Sequence, residues 1–142
     1  MNPPKVVLDT NVIIAALRSR RGASFRLVSL VDSGKFETNL SVPLVLEYEA
    51  TIRAQQHELG LERDDVEDFL DYLCHVANLH EIYFLWRPVL QDPGDEMVLE
   101  LAVGAGCWHI VTYNKRDFRG AERPGVEVIT PIELLEEIGE LS

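Results

Sequence analysis

At 142 residues the chain is long enough to bury most of one core and too short for two ordinary domains, so a single domain over 1–142 is expected. Hydrophobic residues make up 46% and charged residues 26%, which excludes a disordered or fibrous chain. The formal charge of −11 excludes a generic polyanion binder, so any contact with nucleic acid has to be local.

No apolar run approaches the roughly 18 residues that span a bilayer, and the opening MNPPKVVLDTNVII lacks the layout of a secretory signal. No membrane partner and a cytoplasmic location are expected. Cys74 and Cys107 stand alone, without a CxxC pair or spaced histidines, and read as buried free thiols rather than a disulfide or zinc site.

Lys5–Leu8 is apolar and β-branched without alternation, the pattern of a strand buried on both faces. Residues 12–17 and 23–31 read as helices, 36–40 as a second strand, and Ser41 as the N-cap of a helix over 43–57. A further helix is expected at 64–77, a short strand or extended link at 82–85, and a helix at 96–105 after Asp92-Pro93-Gly94. Residues 109–112 and 126–129 read as strands, and 132–138 as the last helix. The alternation predicts an α/β fold with a mainly parallel sheet of four or five strands and helices on both faces. Tyr83, Phe84, Leu85 and Trp86 form an apolar patch better suited to the core than to an interface.

Acids crowd 58–71 and 133–140, where solvated helix faces account for them. Polar residues at the carboxyl ends of strands are more telling, because open α/β sheets bind ligands there. The first strand ends in Asp9-Thr10-Asn11, the second in Thr38-Asn39-Leu40-Ser41, and a later one in Thr112-Tyr113-Asn114 with Asp117 beyond. Asp9 could simply cap the next helix. In the helix after Pro93-Gly94, the stripe Val98, Leu101, Ala102 and Ala105 faces the sheet. At ~100° per residue Asp95 lies about 70° from that stripe, so it is expected half-buried, with Glu96 nearly opposite and Glu100 outward. Asp92 and Asp95 could also serve only the helix dipole. Glu47 and Glu49 each fall roughly 100° from a stripe of Val45, Tyr48 and Ile52, and periodicity does not choose between them.

Asp9, one of these glutamates, Asp95 and the Asn114/Asp117 pair would converge on one sheet edge. Carboxylates gathered without basic partners repel one another unless a cation joins them, and oxygen donors suit Mg²⁺ or Mn²⁺. Such an ion can activate a water against a phosphodiester.

The segments VVLDTNVIIAAL, VPLVLEYEA after Ser41, DPGDEMVLELAVGAG and HIVTYNKRDF resemble the PIN-domain pattern in its four characteristic places, covering essentially the whole chain. The resemblance is strongest to the VapC-like group, toxins of toxin–antitoxin pairs. It implies a three-layer α/β/α sandwich and a metal-dependent endoribonuclease leaving a 5′-phosphate. It matches Asp9, Glu47 and Asp95 to the family's first three acids, which selects Glu47 over Glu49, and Asn11 and Thr112 to its supporting polar residues. Asn114 stands where the family often has aspartate, so the fourth place is shared between Asn114 and Asp117. The resemblance further implies a homodimer and an antitoxin that masks the acidic pocket.

On that reading Asp9 and Asp95 bind the ion, and Glu47 and Asp117 orient waters or a second ion. Arg18, Arg20, Arg21, Lys115, Arg116 and Arg119 follow strand ends and are candidates for RNA phosphate contacts; Arg26 and Arg123 lie in the same two basic runs. Two other readings compete. An Asp-dependent phosphatase or phosphoacceptor also places an Asp after its first strand, but the former needs a second Asp where Asn11 stands, and Lys115 fits the latter only loosely. A PIN fold that persists as an interaction module after losing activity would explain Asn114.

Overall fold

The computed structural model describes residues 2–81, 90, 92–120 and 125–141. The expected strand at 82–85, the patch Tyr83–Trp86 and Arg123 lie outside the described residues.

Five strands, β1 (Lys5–Leu8), β2 (Glu37–Ser41), β3 (Asn78–His80), β4 (His109–Val111) and β5 (Glu127–Ile129), form one sheet in the order β3-β2-β1-β4-β5. Every pairing is parallel, with Val6 opposite both Thr38 and His109, and Val111 opposite Ile129. The chain therefore turns back across the sheet after β3 to reach β4, and the reversal leaves a crevice at the carboxyl ends of β1 and β4. Among the described residues six helices connect and cover the strands: α1 (Thr10–Arg18), α2 (Ala23–Ser29), α3 (Val42–Ala54), α4 (Arg63–Val76), α5 (Pro93–Gly104) and α6 (Pro131–Glu137). The result is the expected three-layer α/β/α sandwich. Among the described residues no helix is long and apolar enough to cross a membrane.

The centre of the sheet is apolar because no face of it meets water: Val6, Val7, Leu8, Ile110 and Val111 are all fully buried. From α3 the core receives Leu44, Tyr48 and Ile52. Leu44 thus takes the place expected for Val45, which is only partly buried. The Tyr48 hydroxyl donates to the backbone carbonyl of Leu8, so the last residue of β1 is tied to α3 directly before Asp9. Ser41 caps α3 as expected, its hydroxyl accepting from the Leu44 N–H at 3.3 Å. Helix α3 ends at Ala54, three residues short of His57, and passes into turns. Gly106, at φ 68°, supplies the left-handed residue that closes α5 and turns the chain into β4.

Strand β3 was not expected. Asn78-Leu79-His80 contains no β-branched residue, and the helical pattern runs up to it. Its place is fixed by side chains instead. Asn39, buried in β2, accepts from Asn78 Nδ2 at 3.4 Å and meets His80 Nε2 at 2.8 Å, while its own amide donates to the carbonyls of Val6 and Glu37. A polar residue inside the sheet thereby holds the edge strand to it. Asn39 and Ser41, polar at the end of β2, are thus structural. On the opposite side, buried His109 of β4 meets Glu137 of α6, Nε2 to Oε2 2.8 Å.

Candidate active site

Asp9 follows a strand with no polar side chain after Lys5 and opens a helix, so its carboxylate is carried to the sheet edge by β1 and oriented by α1. One oxygen accepts from the Thr10 N–H at 2.8 Å and the other from the Thr112 hydroxyl at 2.8 Å. The Thr112 hydroxyl accepts in turn from Asn11 Nδ2 and from the Asn114 N–H, both at 3.1 Å. Asn11 completes the link by accepting from the Tyr113 N–H at 3.2 Å. The ends of β1 and β4 are thus locked together around one acid. Asp9 is both the helix cap and the centre of this network, so the two roles do not compete. Burial pushes its carboxyl up, the Thr112 and Thr10 bonds act against that, and the charges of Asp117 and Asp92 add to it.

Asp95 arrives from the first turn of α5 and is half-buried, as its helical position predicts. Burial first, and then the charges of Asp9, Asp92, Asp117 and Glu47, push its carboxyl up from 3.8 to about 7. Asp9, Asp92, Asp117 and Glu47 therefore all lie within electrostatic reach of Asp95, and Asp117 and Asp92 also of Asp9. Glu47 of α3 lies against Gly94 in the first turn of α5. A Cβ on Gly94 would lie 3.6 Å from Glu47 Oε1 and 3.1 Å from Asp92 Oδ1. Glu49 turns elsewhere and pairs with Arg53 at 3.1 Å. Asn114 and Asp117 are both exposed. The Asn114 N–H is spent on Thr112, whereas Asp117, on a 3₁₀ turn over Lys115–Phe118, adds its charge to both Asp9 and Asp95.

Two expectations are corrected. Glu96 does not face outward: it is 7% exposed and its carboxylate accepts from the Leu90 N–H. The helical wheel places it away from the sheet, but the Leu90 backbone lies against that face. Asp92 could have served only the helix dipole. It does cap α5, accepting from Gly94 N at 2.7 Å, yet its charge also acts on Asp9 and Asp95. The sequence signal was present in the repeated acid of Asp92-Pro93-Gly94-Asp95.

The basic candidates do not all gather at this edge. Arg18 stands at the far end of the nine-residue α1, about 13 Å along the axis from Asp9, with its guanidinium on Gln55 Oε1 at 2.6 Å. Arg20 and Arg21 line a cleft between α2 and α6 whose walls contain none of the acids. Lys115 is paired with Glu133 at 2.6 Å. Arg116 and Arg119 remain exposed on either side of Asp117. Among the described residues, no basic side chain is recorded in an ion pair with the clustered acids.

A set composed only of carboxylate, hydroxyl and amide oxygen donors, with carboxyls that repel one another, fits a hard divalent cation such as Mg²⁺ or Mn²⁺. Asp95 gives the arrangement a pH signature. Folded, it holds a proton between about pH 4 and 7, where the unfolded chain has lost it. The folded state binds more protons in that window, so the stability of the metal-free protein falls as pH rises through it. The expected result is a Tm that declines from pH 4.5 to pH 7.5 and a flatter profile for Asp95→Asn. Parallel profiles for the two proteins would remove Asp95 as the cause.

Comparison with known proteins bears on the same residues. The chain is similar to VapBC2 from Rickettsia felis, solved bound to a DNA fragment from their promoter. The TM-score is 0.61 at 12% identity, over 89% of this chain and 98% of that one, a likeness of fold. No curated protein sequence matches it. The PIN domain family model matches residues 5–116, a span that begins at β1, contains Asp9, Glu47 and Asp95, and stops one residue before Asp117. Because this match takes in most of the chain and all five strands but the last, the chain belongs to the PIN domain family.

Proposed function

We propose that the protein is a Mg²⁺- or Mn²⁺-dependent endoribonuclease, acting as the toxin of a toxin–antitoxin pair. The observation that supports this is the gathering of Asp9, Glu47 and Asp117 around Asp95, with no ion-paired basic partner among the described residues and the Asp95 carboxyl raised to about 7. Asp9 and Asp95 would hold the ion, and Glu47 and Asp117 would hold waters around it or a second ion. When bound, the ion neutralises the carboxylates, polarises the scissile phosphate and supplies an acidified water as nucleophile.

The remaining work falls to the protein. Thr112 and Asn11 fix the Asp9 carboxylate so that it does not rotate when substrate enters. Glu47, packed against Gly94, and Asp117 present acceptors for the protons of the attacking water. Attack in line with the departing 3′ oxygen leaves a 5′-phosphate. Arg116 and Arg119 are the basic residues best situated to meet flanking phosphates.

Membership of the PIN domain family and a fold like that of VapBC2 support the assignment and, with it, a homodimer and an antitoxin partner that covers the acidic pocket. The test is cleavage of single-stranded RNA with Mg²⁺ or Mn²⁺, which wild type performs and Asp9→Asn does not. Equal cleavage by the two proteins would refute it.

A further inference from the structure

Tyr113 is oriented in the reverse of the usual manner for tyrosine. Tyrosine at a protein surface ordinarily buries its ring and leaves its hydroxyl in water. Here the hydroxyl shares a 2.6 Å hydrogen bond with Ser24 of α2, a residue only 1% exposed, while the side of the ring stays open and the residue is 46% exposed. The backbone is held as well, since the Tyr113 N–H donates to Asn11 Oδ1. Both ends of the residue are therefore anchored, and what remains presented to solvent is an aromatic surface. It stands directly after Thr112, whose hydroxyl touches Asp9.

A fixed aromatic surface beside a phosphodiester-cleaving site matches one chemistry well. Unpaired nucleobases stack on aromatic side chains, and such stacking is tolerant of sequence. This chain needs a term of that kind. With a formal charge of −11 and most of its basic candidates held away from the acids, phosphate attraction alone gives little hold on RNA. Resting on the nuclease reading above, we propose that Tyr113 is a substrate-positioning residue that stacks on an unpaired base next to the scissile phosphate. The substrate class is then single-stranded RNA or a loop, rather than a continuous duplex whose bases are stacked on one another. Anchoring by Ser24 holds the ring ready before substrate arrives, so little side-chain freedom is lost on binding.

The test measures KM and kcat for a single-stranded oligoribonucleotide and for copies carrying one abasic residue at each position flanking the cut. Wild type, Tyr113→Ala and Tyr113→Phe are compared, and Kd is measured for the same oligonucleotides with each change made in an Asp9→Asn background. Tyr113→Ala is expected to raise KM and Kd about tenfold with a smaller change in kcat, and Tyr113→Phe, which keeps the ring, to stay within about threefold of wild type. One abasic position should weaken wild type to the level of Tyr113→Ala and leave Tyr113→Ala itself unaffected, the coupling expected of two groups in contact. If wild type cleaves RNA and Asp9→Asn does not, but Tyr113→Ala keeps wild-type KM and Kd, stacking is overturned and the nuclease reading stands. Equal loss in Tyr113→Phe and Tyr113→Ala also overturns it, because the hydroxyl anchor and not the ring would then matter. Failure of wild type to cleave or bind any RNA overturns the nuclease reading and this inference together.

Discussion

Asp9→Asn is expected to lower the rate of RNA cleavage at least about 100-fold while the protein stays folded. The change removes one negative charge and almost no volume. The amide oxygen of asparagine still accepts from one of the three donors that Asp9 now serves, the Thr10 N–H, the Thr112 hydroxyl and the Asn11 amide. What is lost is a second acceptor and the charge that an ion would meet. Burial and the charges of Asp117 and Asp92 already oppose ionisation of Asp9, so neutralising it relieves repulsion in the metal-free protein. The metal-free Tm of Asp9→Asn should therefore equal or exceed that of wild type, whereas activity collapses. Circular dichroism melting beside a gel-based cleavage assay checks both halves. A variant that loses activity together with several degrees of Tm would point to a structural role for Asp9 alone.

The second large effect is on stability. Ile110 sits in β4 between Val7 of β1 and Val128 of β5 and is fully buried. Truncation to alanine leaves a void in the one place where neither strand neighbour can move without breaking its own pairing. Ile110→Ala is expected to cost about 2–5 kcal/mol, lowering Tm by roughly 10 °C. Val42→Ala, at a position 65% exposed on the first turn of α3, serves as the control and should change stability by less than about 0.5 kcal/mol. Chemical denaturation of the two variants makes the comparison. Similar losses in both would contradict the placement of the core at the centre of the sheet.

The sequence reveals the fold wherever a segment carries its own pattern. β1 after Lys5 and β4 after His109 are apolar, and α1 and α3 follow caps at Asp9 and Ser41 that the structure contains. β3 was missed because what holds it lies far away in sequence: it pairs with β2, and His80 meets Asn39, 41 residues earlier, and no local pattern records that. Glu96 was misplaced for a related reason. A helical wheel gives the angle between residues of one helix and says nothing of a backbone group outside it, here the Leu90 N–H, that meets its outer face.

The candidate site divides in the same way. Asp9 and Asp95 were legible from strand ends and helical angle. Glu47 and Glu49 were equivalent by angle; Glu49 pairs with Arg53 one turn on in the same helix, a local signal, whereas the place of Glu47 against Gly94 of α5 is tertiary. Asp92 was visible but explained by the helix dipole, a role that did not exclude a second one. For the basic residues, proximity in sequence to a strand end was a poor guide. Nine residues of helix carry Arg18 away from Asp9, and Lys115 is taken by Glu133 from a helix later in the chain.

The central claim is that these carboxylates form a divalent-cation site, and titration of Mn²⁺ into the metal-free protein at pH 6.5, followed by calorimetry, tests it most directly. Wild type should bind Mn²⁺ and release protons as it does so, because Asp95 holds one up to about pH 7 in the ion's absence. The Asp9→Asn, Asp95→Asn double variant should bind at least about tenfold more weakly. Wild type that takes up no Mn²⁺, or a double variant that binds it equally well, would contradict the account.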